Sequence, residues 1–348
     1  MVFRPDQLNA ARLVAQRRAP LVIGDTLSAP EWTPVENEAP LRSWLGAPLI
    51  AKGLVIGVLN ISAASPHRFT ERDAEVALAF ASQAAVAMEN ARLYQESVTR
   101  VEQELEIARR IQRNLFPRTL PLLEGLELAA RCLPARETGG DFYDVIQLRE
   151  QSGAARASLA LMVGDVSGKS ITAAMLMGVA RSIARSEARN HQTPPEVMRE
   201  TNRWIVEDVP PRSFVALCYA TIDLHERRLA LANAGQLAPL RRRRDGRIEY
   251  LEAPGNTLPL GIDPTTPYAA LDVALEPGDL LLFYTDGIVE AQDAGHTLFG
   301  FERLEALLHT HGDLTPDALI DRVLREVGHF AGSAAQHDDM TIMALRVA

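Results

Sequence analysis

The sequence predicts an α+β chain in two parts, joined by one long helix and built in its second part on largely antiparallel sheets. Three observations carry that class. The chain has 348 residues, enough for about two domains at roughly 150 residues each. No glycine or proline interrupts it between Thr70 and Pro117. Beyond Pro117, strand-like and helical runs follow one another without strict alternation. Composition narrows the class further. Hydrophobic residues make up 47% and charged residues 23%, which excludes a largely disordered chain. A formal net charge of −9 argues against a protein that coats nucleic-acid phosphates. Cys132 and Cys218 are the only cysteines, so a disulfide framework and a cysteine-ligated zinc site are excluded and a reducing cytosol fits. No apolar run approaches the roughly 18–20 residues of a membrane helix. Met1-Val2-Phe3-Arg4-Pro5 lacks the basic-then-apolar layout of a leader. The expectation is a soluble, cytoplasmic protein with no nucleic-acid and no membrane partner.

Element by element, Leu21–Ile23 is a short apolar run, and Leu49–Ile50 and Leu54–Ile61 read as strands joined across Ala51-Lys52-Gly53. Thr70, with Asp73 three residues on, is a capping-box variant that starts a helix. Continued to Pro117, that helix has about 45 residues and is on the order of 68 Å long. Its apolar spacing accounts for the length. Ala77, Phe80, Ala84, Ala87, Ala91, Tyr94, Val98, Val101, Leu105, Ala108, Gln112 and Leu115 alternate steps of three and four, a heptad seam with one polar residue late in the core. Glu104 and Arg109 fall where g and e′ positions of a parallel dimer would pair. A dimeric coiled coil is expected, against a long helix packed on its own domain. Further on, strand-like runs lie at Leu126–Cys132, Ser158–Val163, Ala216–Asp223, Arg228–Ala232, Asp279–Tyr284 and Met340–Val347. Helical patterns lie at Thr172–Arg189, Pro195–Val206, Phe301–His309 and Pro316–Gly332. Asp245-Gly246 marks a hairpin turn, and Arg241–Arg244 beside it reads as a solvated face. Both cysteines read as core strand residues, and Trp32, Trp44 and Trp204 as packing residues.

Four acidic motifs share one placement. Gly139-Gly140-Asp141 opens a strand, and Gly164-Asp165-Val166-Ser167-Gly168 directly follows Leu159–Val163. Thr285-Asp286-Gly287 directly follows Leu280–Phe283 and Tyr284, and Asp338-Asp339 directly precedes the last strand. A carboxylate beside a buried strand costs desolvation unless positive charge stands opposite. Only Lys169, near Asp165, offers one, so the missing charge points to a cation. All-oxygen donors suit Mg²⁺ or Mn²⁺ rather than zinc. Competing chemistries fail on their spacing. A phosphate loop needs glycine where Val163 stands, and a nucleophile elbow needs a residue between Ser167 and Gly168. A cysteine phosphatase needs arginine where Thr138 and Leu224 stand. Hydrolysis by metal-activated water is the reaction that remains.

From about Glu104 onward, the chain resembles the SpoIIE/RsbU-like branch of the PPM metal-dependent serine/threonine phosphatases. Ala108–Pro121, Gly139–Asp144, Gly164–Lys169, Asn233–Gly235, Gly255–Gly261, Tyr284–Glu290, Phe299-Gly300 and Asp338-Asp339 carry the resemblance. It implies an α-β-β-α sandwich of two antiparallel sheets with two Mn²⁺ or Mg²⁺ ions at one edge. It also implies that Asp165 bridges both ions and the Val166 carbonyl adds a ligand, that Asp141 binds the second ion, and that Asp286 and Asp338 complete the first with Asp339 beside them. Asp141, Asp165, Asp286 and Asp338 are then the catalytic set. Ser170 after Lys169, Gln236 after Gly235 and Thr138 before Gly139 depart from the family pattern. Ser170 is expected to cap the helix that follows.

Residues 1–95 resemble the later part of a GAF domain, through Leu21–Asp25, Ser43–Leu49, Gly57–Asn60, Phe69–Asp73 and Ala85–Asn90. The domains expected are a partial GAF-like domain over 1–69, a long helix over 70–116 and a phosphatase domain over 117–348. The function expected is dephosphorylation of a regulatory phosphoprotein, by resemblance an anti-anti-sigma STAS-domain protein, controlled through the N-terminal part and a homodimer on the linker helix. A non-catalytic dimeric binding module with a vestigial metal site, and a phosphatase of small phosphate esters, stay open beside it.

Overall fold

The computed structural model describes residues 9–32, 41–148, 158–168, 171–209 and 213–348. Met1–Pro5, Lys169 and Ser170, all read above, lie outside the described residues. The chain divides into two compact units, 1–103 and 104–348.

In the first unit, period-two alternation sorts side chains to the two faces of a small sheet. Strands β1 (Leu21–Ile23), β2 (Ser43–Ala51) and β3 (Leu54–Ala63) pair antiparallel in that order. Leu45, Ala47, Leu49 and Ala51 of β2 pack on Ala74, Ala77, Ala81 and Ala85 of helix α2 (Glu71–Leu115). Trp44, from the opposite face, packs with Ala10 and Val14 of helix α1 (Asn9–Arg17) and with Trp32, ring to ring at 5.9 Å. The β2–β3 turn forms at Lys52-Gly53, both with positive φ, as a tight hairpin of this kind requires.

The 45-residue helix stands where the uninterrupted stretch predicts it. Its capping box is made: Asp73 accepts from the Thr70 backbone N–H at 2.8 Å, and Thr70 Oγ1 accepts from the Asp73 N–H at 3.3 Å. The face it buries is not the heptad seam. Ala74, Ala77, Ala81 and Ala85 are buried, whereas Phe80 is 68% exposed, Tyr94 73% and Val101 51%. Of the seam, Ala77 serves the first unit and Gln112 is buried within the second, so only its middle lies open.

In the second unit, the same alternation builds a sandwich. One sheet runs in the order β10 (Ile248–Tyr250), β9 (Leu240–Arg242), β12 (Leu280–Tyr284), β13 (Met340–Val347), β4 (Leu126–Leu133). The other runs β11 (Leu271–Ala274), β8 (Arg228–Ala234), β7 (Val215–Asp223), β6 (Ser158–Val166), β5 (Phe142–Leu148), and every strand pair is antiparallel. Strand β6 turns Leu159, Leu161 and Val163 toward the opposite sheet and Ala160, Met162 and Val166 toward the helices. Strand β13 turns Met343, Leu345 and Val347 inward and Met340, Ile342 and Ala344 outward. Helices α3 (Ile171–Asn190) and α4 (Pro194–Asp208) cover one sheet, and α6 (Phe301–His311) and α7 (Pro316–Ala331) cover the other. This is the four-layer α-β-β-α sandwich.

A short helix, α5 (Asp286–Val289), follows β12. Helix α1, strand β11 and helix α5 have no counterpart in the sequence reading. The Asp245-Gly246 hairpin forms between β9 and β10, but only the second half of the arginine run beside it is solvated, with Arg243 half-buried and Arg244 exposed. Arg241 and Arg242 are buried: Arg241 pairs with Asp279 and Glu249, and Arg242 with Asp313 at 3.1 Å. Buried guanidinium groups in a strand need such partners. Trp204 is 40% exposed and is therefore not a core packing residue. Cys218 is buried in β7 as expected, and Cys132 is partly buried in β4.

Candidate metal centre

Antiparallel pairing decides which acids meet. Phe142 of β5 lies opposite Gly164 of β6, so Asp141, one residue before β5, falls beside Asp165 near the end of β6. Tyr284 of β12 lies opposite Ile342 of β13, so Asp286, just after β12, falls beside Asp338 and Asp339, just before β13. Stacking the two sheets then brings both pairs to one end of the sandwich.

Two side chains link the pairs across the sheets. Thr285 Oγ1 donates to Asp141 Oδ2 at 2.6 Å and accepts from the Thr341 N–H at 2.9 Å. Asp339 Oδ2 accepts the Gly140 N–H at 2.6 Å, and its Oδ1 accepts the Ala135 N–H at 2.8 Å. Asp339 is thus committed to the backbone of the turn that carries Asp141. Asp338 Oδ1 accepts the Asp339 N–H at 3.0 Å.

Close backbone approach explains two glycines. A methyl group on Gly140 would stand 2.7 Å from the Val166 carbonyl oxygen and 3.2 Å from Asp165 Oδ1. One on Gly287 would overlap the Asp339 carbonyl. The Val166 carbonyl therefore faces the turn that carries Asp141.

The site is strongly negative. Burial, and after it the charges of Asp286, Asp338 and Asp339, push the Asp165 carboxyl up to about 7. Asp141 is fully enclosed, and burial followed by the charge of Asp165 raises it well above the usual carboxylate range. Crowded carboxylates and a backbone carbonyl are hard oxygen donors, and their mutual repulsion is what a hard divalent cation offsets, so the residues present fit Mg²⁺ or Mn²⁺. The acids are neighbours without a closed cage: among the described residues, no group of three or more His, Cys, Asp or Glu side chains is already set to hold a metal ion.

Sequence reasoning missed two residues here. Gln112, read as a polar position in the coiled-coil core, is buried against the Gly139 peptide: its Nε2 donates to the Gly139 carbonyl at 2.6 Å and its Oε1 accepts the Gly139 N–H at 3.2 Å. Thr285 had been read only as a neighbour of Asp286. Its one sequence signal is a hydroxyl side chain at the end of an otherwise apolar strand.

The chain and its fold have recognisable relatives. The family model described as Stage II sporulation protein E (SpoIIE) matches residues 155–348, and that described as GAF domain matches residues 3–89. The chain is 29% identical over 272 residues to Protein IcfG of Synechocystis sp., a match that covers 70% of this chain and 41% of that protein. It is 27% identical over 249 residues to Phosphoserine phosphatase RsbU of Bacillus subtilis, covering 71% of this chain and 70% of that one. The chain therefore spans less than half the length of IcfG. Among solved structures, the SiaA-PP2C domain of Pseudomonas aeruginosa aligns with a TM-score of 0.62 at 23% identity, over 72% of this chain and 99% of that one. The RsbU and RsbW domains of Rv1364c from Mycobacterium tuberculosis align with a TM-score of 0.55 at 27% identity, over 66% of this chain and 61% of that one. The chain belongs to the SpoIIE family and carries a phosphatase domain of the PPM/PP2C hydrolase class together with an N-terminal GAF domain.

Proposed function

We propose that the chain is a cytoplasmic, metal-dependent protein serine/threonine phosphatase, acting on a phosphorylated regulatory protein of the anti-anti-sigma (STAS-domain) class. One observation carries the reading: Asp141, Asp165, Asp286 and Asp338 come from four strand ends to one place, where burial and, after it, the charges of Asp286, Asp338 and Asp339 push Asp165 up to about 7. The relative RsbU bears the name phosphoserine phosphatase, which supports the reaction class.

Asp141, Asp165, Asp286 and Asp338, with the Val166 carbonyl, are the residues that would hold two Mn²⁺ or Mg²⁺ ions. When bound, the ions acidify a water and offset phosphoryl charge during in-line displacement. The chain's own residues hold the donors in place. Thr285 fixes the rotamer of Asp141, Asp339 holds the Gly139-Gly140 turn, and Gln112 pins that turn to the last turns of α2. The domain plan that suits this reading is the GAF-like part over 1–69, the linker helix over 70–116 and the phosphatase over 117–348. Phe80, Ala84, Ala87, Ala91, Tyr94, Val98 and Val101 would form the seam of a parallel homodimer, for which the exposure of Phe80, Tyr94 and Val101 leaves the face open.

The test is manganese-dependent release of phosphate from a phosphoserine protein and from a nucleotide, with Asp165→Ala as control. Release from the protein alone, lost in the variant, is the expected outcome. Equal inertness of wild type and variant would favour the binding-module reading, and release from the nucleotide alone the small-ester reading.

A further inference from the structure

A cavity of about 470 Å³ opens beside the acidic cluster and is lined by one of its members, Asp338, and by Gly287, the residue after Asp286. The end of β4, helix α5, the C-terminal half of α7 and the segment leading into β13 wall it. Much of that wall is apolar: Leu133, Leu324, Val327, Ala331, Ala335 and Met340 all line it. Gln336 braces the mouth, its Nε2 donating to the Leu133 carbonyl at 2.9 Å and to the Asp338 carbonyl at 2.8 Å. Among the described residues, the polar lining includes Glu290, Gln292, Gln336, His337 and Asp338. An apolar group laid against the apolar part of the wall is desolvated there.

We infer that this cavity is the subsite for an apolar side chain next to the phosphoserine of a protein substrate. The inference rests on the phosphatase reading above and deepens it. A phosphoryl group at the carboxylate cluster leaves the residues on either side of the phosphoserine within reach of the cavity, since the chain advances roughly 3.3–3.6 Å per residue. The volume lies within the range of about 300–1,000 Å³ usual for specific ligand sites. A phosphate ester without an apolar group would leave it empty.

Gly328 offers a clean probe. It lines the cavity, and a methyl group placed on it meets nothing within 4 Å. Gly328→Leu therefore adds bulk at the cavity wall without a clash at its Cβ, and leucine suits a helix better than glycine.

Two short phosphoserine peptides are compared, identical except for leucine or glycine on both sides of the phosphoserine. With manganese, the wild-type chain is expected to favour the leucine peptide by about tenfold or more in kcat/KM, with the difference in KM. In Gly328→Leu, turnover of that peptide relative to p-nitrophenyl phosphate falls by about the same factor, and Ala331→Leu serves as a second filling variant. In the metal-free chain, the ¹³C-methyl resonance of Met340 shifts on adding the leucine peptide and not the glycine one. Equal turnover of both peptides by wild type, or a preference that survives both filling variants, overturns the proposal. If Met340 responds as stated while neither peptide nor p-nitrophenyl phosphate is hydrolysed, the phosphatase reading falls and takes the substrate subsite with it, and only binding of the apolar side chain in the cavity stands.

Discussion

The Gly139 peptide shows how one side chain can hold a turn beside the acidic cluster. Its N–H and C=O both end on the Gln112 side chain, so a single amide satisfies a donor and an acceptor that burial would otherwise orphan. Replacing Gln112 by leucine strands both groups, at about 1–3 kcal/mol for each, and frees the turn whose next residues are Gly140 and Asp141. The expected result is a lower melting temperature together with several-fold weaker manganese binding by calorimetry, and Gln112→Glu, which keeps only the acceptor, should fall between. Unchanged manganese affinity in Gln112→Leu would show that the turn holds without the helix. Gly140→Ala tests the same turn from its other side. The added methyl must displace the Val166 carbonyl or the Asp165 carboxylate, so a folded but inactive protein is expected in a melting curve paired with the manganese assay.

Among the elements, α2 carries the most information and was the easiest to misassign in detail. Its existence was legible because nothing in 45 residues breaks a helix and Thr70–Asp73 caps it. Its buried face was not legible, because alanine recurs both at Ala74, Ala77, Ala81 and Ala85 and at Ala84, Ala87 and Ala91, and the same three-and-four spacing fits either stripe. Only packing against β2 separates them. The strand-end acids were legible because each interrupts an apolar run, whereas the contact of Thr285 with Asp141 spans 144 positions and leaves no local trace. Helix α1 was overlooked for a related reason: its nine residues bury little beyond Ala10 and Val14, and it is held by Trp44 from another element. The open part of the seam makes its own prediction. Tyr94→Glu with Val101→Glu places like charges on a face that the chain itself leaves exposed, so folding is retained while sedimentation shifts from dimer to monomer. A wild-type chain already monomeric at micromolar concentration would remove the coiled coil from the account.

At the scale of the whole molecule, the sandwich assembles negative charge that the folded protein must tolerate. Two antiparallel hydrogen-bonded pairs, β5–β6 and β12–β13, each deliver acids to the same end, and cores on both sides of each sheet keep the ends in register. The folded Asp165 carboxyl titrates at about 7 and Asp141 is raised as well, against about 3.9 for an aspartate in the unfolded chain. The folded state therefore holds protons that the unfolded state has released. The stability this contributes is complete below about pH 4 and is lost as pH rises through about 7. Stripped of divalent ions with a chelator, the protein should melt lower at pH 8 than at pH 5, and Asp165→Asn should flatten that slope. Manganese, bound by the ionised carboxylates alone, should raise the melting temperature more at pH 8 than at pH 5. A chelated protein whose melting temperature is level across that interval, and which manganese leaves unmoved, would mean that the four acids do not share the field that the sandwich geometry imposes on them.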